Sequence, residues 1–407
     1  MNSTDILQNM LTGEELLKSL SYYPEYNTDI RQAPAADRLI ALNNLYEIYH
    51  PFLMSTEIYH KIYLALLRSL QKKHGRLAVQ QLNENKKAIL GSNYKGIIGG
   101  SDSFTILGRS GIGKSTAISR AISLVKGDEI IIQESPYCKL IPILVIQCPF
   151  DSSVKGLLLE ILRKVDERLD TKYYNNAIRA KATTDMLIGS VSQVCLNHVG
   201  MLILDEIQNV ANSKNGKSLI GSLTQLINNS GISIAMVGTP ESAPFFEQDY
   251  KLARRSLGLK YDTIPFDESF VSFCQVLWRY QYTANISCIS DAIINWLYEH
   301  SSGITSNVIS ILHDAQEIAI LDGSEVLSLE SLNKAYIQRM GLLHDYIENP
   351  VLNPPAKVAT KVDVPEVTNE SPITVGLFSA AAKQAKKQGC SLISLITGQI
   401  SITEVSV

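Results

Sequence analysis

Apolar and polar positions change period along the chain. Over the first hundred or so residues the apolar positions recur at helical spacing: in TEIYHKIYLALLRSLQKK, Ile58, Ile62, Leu66 and Leu70 share one stripe. This predicts an amphipathic helix with one packed face. From Phe104 the pattern becomes short apolar runs, SFTILG, KLIPILVIQC, GMLILDE, ISIAMVG and the weaker YDTIPF, with helical stretches between them. Runs apolar on both faces and separated by helices predict a parallel sheet covered on both sides, an α/β domain with a central five-stranded sheet. After Asp267 the runs stop and helical patterns continue through SFVSFCQVLWRYQYT, SDAIINWLYEHSS, TSNVISILHDAQEIAIL and SLESLNKAYIQRMGLL. From Asn349, Pro, Val, Thr and charged residues alternate without a period, as in a linker. The last stretch, TVGLFSAAAKQAKKQGCSLISLITGQISI, predicts one short amphipathic helix. The expected division is a helical N-terminal extension (1–95), an α/β core (96–266), a small helical domain (267–347), and a linker with a tail (348–407).

Composition narrows the function classes. Of 407 residues, 45% are hydrophobic and 19% charged, which excludes a fibrous or wholly disordered chain. Lys and Arg number 37 against 40 Asp and Glu, for a net charge of −3. No blanket basic surface is available, so any contact with nucleic acid must use a local patch. The six cysteines form no CxxC pair or His/Cys cluster, which argues against structural zinc and a disulfide framework and points to a reducing cytoplasm. The N-terminus has no basic stretch ahead of an apolar one, and no apolar run approaches the ~20 residues of a bilayer span, so neither a secretory signal nor a membrane is expected.

The strongest chemical signal is Gly108-Arg109-Ser110-Gly111-Ile112-Gly113-Lys114-Ser115, a G-x-x-x-x-G-K-[ST] loop directly after an apolar strand. Its glycines let backbone N–H groups curl toward a polyphosphate, and the helix starting near Lys114 adds its positive end. Lys114 is placed to neutralise β and γ phosphates and the Ser115 hydroxyl to ligate Mg²⁺. With Gly108, Ser110, Gly111, Ile112, Gly113, Thr116 and Asp205, these residues form the expected ATP site. Downstream, MLILDE is an apolar strand ending in two acids, the Walker B pattern. Asp205 is expected to hold Mg²⁺ through its water shell and Glu206 to polarise the attacking water. A further strand ends at Gly238-Thr239-Pro240, where Thr239 is placed to sense a γ-phosphate. Arg254 and Arg255 close a helical stretch, where an arginine aimed at a neighbouring subunit's phosphate would stabilise developing charge; a solvated helix end is the plain alternative.

Together these elements resemble a family. The run from Met201 to Gly258, MLILDEIQNVANSKNGKSLIGSLTQLINNSGISIAMVGTPESAPFFEQDYKLARRSLG, is similar to TnsC and TniB, the AAA+ ATPase regulators of cut-and-paste and CRISPR-associated transposons. The similarity spans about residues 45 to 345. It implies an AAA+ fold with a helical lid over residues 267–347. It implies an ATP-dependent regulator that assembles as rings or filaments on double-stranded DNA, meets a target-selection protein and activates transposase subunits, in a bacterial cytoplasm beside the nucleoid. Positions matching the family's DNA-facing residues are Lys155, Lys181 and Thr183. The sequence departs from many AAA+ lids at Asn307, which stands near the place of a sensor arginine and cannot supply its cationic fork. The tail is a candidate tether for transposase, and the N-terminal extension a candidate receiver of the targeting factor. Two other classes fit the same motifs: a nucleotide-gated signalling switch that ignores DNA, and a helicase-loader or initiator ATPase. Nothing in the sequence resembles a transposase's own acidic catalytic cluster, so DNA cleavage by this chain is not expected.

Overall fold

Each apolar run of the central region forms a strand, and the reason is visible in where alternate residues go. In β4 (Val199–Asp205), Met201 and Ile203 face one apolar cluster while Leu202 and Leu204 face another, and all four are buried. A strand covered on both faces has no polar alternation to display, so it reads as continuous apolar sequence. The computed structural model describes residues 7–73, 76–99, 102–134, 137–149, 153–211, 216–247 and 258–344. The chain divides into two units, Met1–Pro355 and Ala356–Val407, and all described residues lie in the first.

Strands β1 (Phe104–Gly108), β2 (Ile131–Glu134), β3 (Tyr137–Gln147), β4, β5 (Ser233–Gly238) and β6 (Leu259–Tyr261) make one sheet in the order β2-β3-β4-β5-β1-β6. The five strands from β3 to β6 are parallel, with Ile143 opposite Met201, Leu202 opposite Ile234, Ile106 opposite Val237 and Ile106 opposite Leu259. The expected five-stranded parallel core is present, with an additional edge strand. That edge strand, β2, runs antiparallel to β3, Ile132 opposite Lys139, and was not foreseen. The fifth parallel strand also differs from expectation: pairing with β1 ends at Tyr261, so most of YDTIPF lies outside the sheet. Pro265 has no N–H for a ladder, and Ile264 turns into the lid, where its N–H donates to the Gly303 carbonyl at 3.0 Å.

One face of the sheet is covered by α7 (Val154–Leu169), α9 (Thr184–His198) and α11 (Gly216–Ser230). The other is covered by α1 (Gly13–Leu20), α4 (Leu53–Lys73) and α6 (Lys114–Leu124). The predicted stripe of α4, Ile58, Ile62, Leu66 and Leu70, is fully buried there. Polar tethers fix α4 across the strand starts: Ser69 Oγ donates to the Gly200 carbonyl at 2.5 Å, and Ser233 Oγ donates to the Ala65 carbonyl at 2.8 Å. A Cβ at Gly200 would stand 2.4 Å from the Pro142 carbonyl and 2.7 Å from Leu66, so this approach requires glycine.

The lid contains α13 (Glu268–Trp278), α14 (Asp291–Ser301), α15 (Thr305–Leu321) and α16 (Leu329–Arg339). Its core, built on Phe270, Phe273, Leu297 and Leu312, also takes in Leu42, Leu45, Ile48 and Phe52 from the N-terminal segment. The first fifty or so residues therefore serve two cores: Leu16 and Leu20 join the sheet cluster, and Leu42 and Leu45 the lid cluster. Arg38 locks this arrangement, donating to both carboxylate oxygens of Glu325 at 2.6 and 2.7 Å and to the Tyr282 carbonyl at 3.1 Å. No described helix is long and apolar enough to cross a membrane.

Candidate nucleotide site

Sheet topology creates the site. β5 lies between β1, which feeds the glycine loop, and β4, which ends in Asp205. All three chains leave the sheet at their carboxyl ends, where open α/β sheets hold ligands. Among the residues around the resulting cavity of about 430 Å³ are Ser110 to Thr116, Asp205, Glu206, Gln208, Gly238 and Thr239. That volume falls within the range of small-ligand sites.

The loop's curl rests on Gly111 and Gly113, at φ 83° and 93°, in the left-handed region where side chains are disfavoured. α6 begins directly at Lys114, so the helix's unpaired N–H groups face the cavity with the loop. Lys114 Nζ donates to the carbonyls of Gly108 at 2.5 Å and Arg109 at 2.8 Å. Burial pulls its ammonium below the usual lysine range, while the carboxylates of Asp205, Glu206 and Glu241 act in the opposite sense. Arg109 is paired with Asp262 at 2.5 Å. Ser115 and Thr116 are exposed at the loop's end.

On the acidic side, Glu206 is a non-glycine residue at φ 58°. Its N–H donates to Asp205 Oδ1 at 2.9 Å, and its carboxylate accepts from Gln208 Nε2. The Thr239 N–H donates to Gln208 Oε1 at 3.3 Å, and the Thr239 side chain takes no part in capping the turn that follows.

Two further walls come from distant sequence. Tyr49, His50 and Phe52 approach from the N-terminal segment, and Phe273 from α13. The His50, Phe52 and Phe273 rings are mutually packed, with centroids 5.6, 6.1 and 5.4 Å apart. Burial lowers the His50 pKa, which favours the neutral ring. A two-way bridge between Tyr22 and Tyr49, at 2.9 and 2.8 Å, holds this segment in place, with the Arg120 guanidinium 4.6 Å from the Tyr22 ring centroid. From the lid, Thr305 Oγ1 and the Ser306 N–H both donate to the Gly111 carbonyl, at 2.9 and 3.1 Å. Asn307 is not among the lining residues; its Nδ2 donates to the Ser301 carbonyl at 3.3 Å.

Of the residues expected from sequence, Ser110, Gly111, Ile112, Gly113, Lys114, Ser115, Thr116, Asp205, Glu206 and Thr239 meet around this cavity, while Gly108 is not among its lining residues and meets Lys114 Nζ through its carbonyl. Arg254 and Arg255 lie outside the described residues, as does the 348–407 tail. Lys155 and Lys181 line a separate cleft of about 340 Å³ with Leu159, Ala177 and Ile178. Thr183 lies beside it, where its Oγ1 accepts from the Met186 N–H at 3.4 Å and caps α9. Sequence reasoning did not single out Gln208, although it stands in the DEIQ run. The aromatic wall and the Thr305–Ser306 clasp had no local signal, because their partners are far apart in the chain.

Residues 99–260 match the family model described as the bacterial TniB protein. The similarity to the TniB family covers this segment. The matched region runs from just ahead of β1 to β6 and so contains the glycine loop, Asp205, Glu206 and Thr239. No match is found among the curated proteins. Among solved structures, similarity extends to the Aeropyrum pernix ORC1 protein in complex with DNA, at 14% identity over 68% of each chain with a TM-score of 0.41. It extends also to CDC6P from Pyrobaculum aerophilum, at 16% identity over 64% of this chain and 67% of that one with a TM-score of 0.40. Domain III of the Thermotoga maritima replication initiation protein DnaA is 16% identical over 67% of this chain and 94% of its own, with a TM-score of 0.33.

Proposed function

We propose that the chain is a Mg²⁺-dependent ATPase of the TnsC/TniB type that assembles on duplex DNA, links a target-selection protein to transposase subunits and activates insertion. The observation that carries this reading is the convergence of Lys114, Ser115, Asp205, Glu206 and Thr239 on one cavity inside a TniB-family segment. Loop N–H groups and the start of α6 cradle the phosphates, and Lys114 exchanges its carbonyl partners for phosphate oxygens. Ser115 and Asp205 offer the hard oxygen donors that Mg²⁺ prefers, and they are the residues that would hold it. When bound, Mg²⁺ would supply positive charge to offset that of the phosphates. Glu206 accepts a hydrogen bond from the attacking water and draws its proton as the oxygen closes on the terminal phosphorus and the bond from that phosphorus to the β–γ bridging oxygen breaks, leaving ADP and phosphate. The Thr239 hydroxyl donates to the same phosphate group, and the neutral ring of His50, with Phe52 and Phe273, receives the base by stacking.

Lys155 and Lys181 supply phosphate contacts with no reading of sequence, and repetition around a ring makes a few contacts per subunit into a strong, salt-sensitive grip. Arg254 or Arg255 of a neighbouring subunit completes the charge at the γ-phosphate.

The test is ATP turnover by the full chain with and without duplex DNA, for the wild type, Lys114→Ala and Glu206→Gln. DNA-stimulated turnover lost in both variants, with ATP retained only by Glu206→Gln, is expected. Turnover indifferent to DNA would favour a signalling switch, and a response to a replicative helicase but not to transposase would favour a loader.

A further inference from the structure

The side chain of Gln208 is used at both ends, and both ends serve residues at the phosphate side of the cavity. Its Nε2 donates to Glu206 and its Oε1 accepts the Thr239 N–H at 3.3 Å. The orientation of the amide follows from its partners: an N–H requires the oxygen on one side, and a carboxylate requires the NH₂ on the other. The backbone around it is adapted to the reach. Glu206 turns at φ 58°, the Asn209 N–H donates to the Glu206 carbonyl at 3.0 Å, and the Ile207 N–H donates to the Val237 carbonyl at 2.9 Å, pinning the turn to β5. At the end of β5, a Cβ on Gly238 would stand 2.8 Å from Gln208 Oε1 and 2.6 Å from Ile207 Cγ2. Glycine there gives the carboxamide its room. Local backbone held in a sparsely populated region, with several contacts fixing it, is a feature of sites where geometry matters to chemistry.

We propose that Gln208 is a positioning residue for ATP hydrolysis: it ties the Glu206 carboxylate to the Thr239 turn, so that the group meeting the attacking water and the group facing the terminal phosphate are set by one carboxamide. This rests on the reading of Glu206 given above. Without Gln208 the carboxylate, exposed and on a flexible stem, samples other rotamers, and the orientation of the water is lost with it. The main nucleotide contacts, from the loop, Lys114 and the aromatic wall, do not depend on this bridge, so most of the ATP affinity is retained.

The test measures kcat and KM for ATP, and ATP affinity, on the full chain for Gln208→Ala, Gln208→Glu, Glu206→Gln and Gln208→Ala/Glu206→Gln. Gln208→Ala is expected to lower kcat by about 10- to 100-fold, as loss of orientation does, with affinity within about twofold of wild type. Gln208→Glu keeps an acceptor for Thr239 but sets a second carboxylate against Glu206, and is expected to be equally slow. In the Glu206→Gln background, Gln208→Ala is expected to slow hydrolysis by much less than in the wild type, since only its tie to the Thr239 turn is left to lose. A wild-type kcat in Gln208→Ala or Gln208→Glu, or an equal loss from Gln208→Ala in both backgrounds, would overturn the proposal. If Glu206→Gln itself turned over at the wild-type rate, the role of Glu206 would fail first. A slow Glu206→Gln beside a fast Gln208→Ala would remove only Gln208.

Discussion

Gly111→Ala is expected to loosen the lid from the phosphate loop, and the structure allows the size of the effect to be worked out. At φ 83°, any side chain costs about 1–2 kcal/mol for the left-handed backbone. A Cβ there would also stand 2.2 Å from Ser306 Oγ, 3.0 Å from Ile304 Cγ2 and 3.3 Å from Ser306 Cβ. Rotation of Ser306 relieves the first contact but not the other two, so the start of α15 has to withdraw. Withdrawal breaks the two hydrogen bonds from Thr305 and Ser306 to the Gly111 carbonyl, at about 1 kcal/mol each. The matched control is Gly113→Ala, at φ 93°, whose nearest neighbours, Met54 Cε and Thr305 Oγ1, lie an ordinary 3.9 Å away. Denaturant unfolding without nucleotide should therefore place Gly111→Ala about 2 kcal/mol below Gly113→Ala, the worth of the two lost hydrogen bonds. Adding Ser306→Gly to Gly111→Ala should recover part of the loss, a non-additive result. Equal stability of the two alanine variants would refute the idea that the lid is clasped through Gly111.

The other predictions concern charge. Arg38→Ala removes the Arg38 hydrogen bonds that do most to hold the Glu325 carboxylate below the usual carboxylate range, leaving the one from the Ala284 N–H, and should cost about 3 kcal/mol in unfolding experiments. A depressed carboxylate stabilises the fold above its unfolded pKa, so the gap between wild type and Arg38→Ala should close as pH falls from the ordinary glutamate range through the lowered value. ATP affinity should be level near neutrality and fall in alkaline solution, beginning below the usual lysine range. The reason is that burial lowers the Lys114 pKa while a bound polyphosphate raises it again; isothermal titration across pH measures this. Lys155→Ala and Lys181→Ala should weaken DNA binding alike for all sequences and flatten the slope of log affinity against log salt; an unchanged slope would exclude both from the phosphate contacts.

What was legible in sequence was whatever sits close together in it. The glycine loop, the DE strand end and the Gly238-Thr239 turn are each a few residues long, and their chemistry depends on local backbone shape. The α4 stripe was legible because one helical face packs into a single apolar cluster shared with the sheet, α1 and α6. The aromatic wall was not, since His50 and Phe273 are far apart in the chain and meet only where the 267–344 helices pack on the N-terminal segment. β2 escaped notice because a four-residue edge strand with Ile132 exposed carries no burial pattern. Tyr261 to Phe266 read as a strand because apolar residues there face two different cores, the first half the sheet and Ile264 the lid. Gln208 was in view inside DEIQ, but its role depends on the left-handed turn at Glu206, which no residue type announces.

The central claim is that nucleotide held at the Gly108–Thr116 loop drives assembly on duplex DNA. Electron microscopy of the full chain with a slowly hydrolysed ATP analogue, with and without duplex DNA, at two salt concentrations, tests it most directly. Rings or filaments that need both nucleotide and DNA, that thin out at the higher salt, and that are absent in Lys114→Ala are predicted. Oligomers that form with nucleotide regardless of DNA, or that persist in Lys114→Ala, would contradict it.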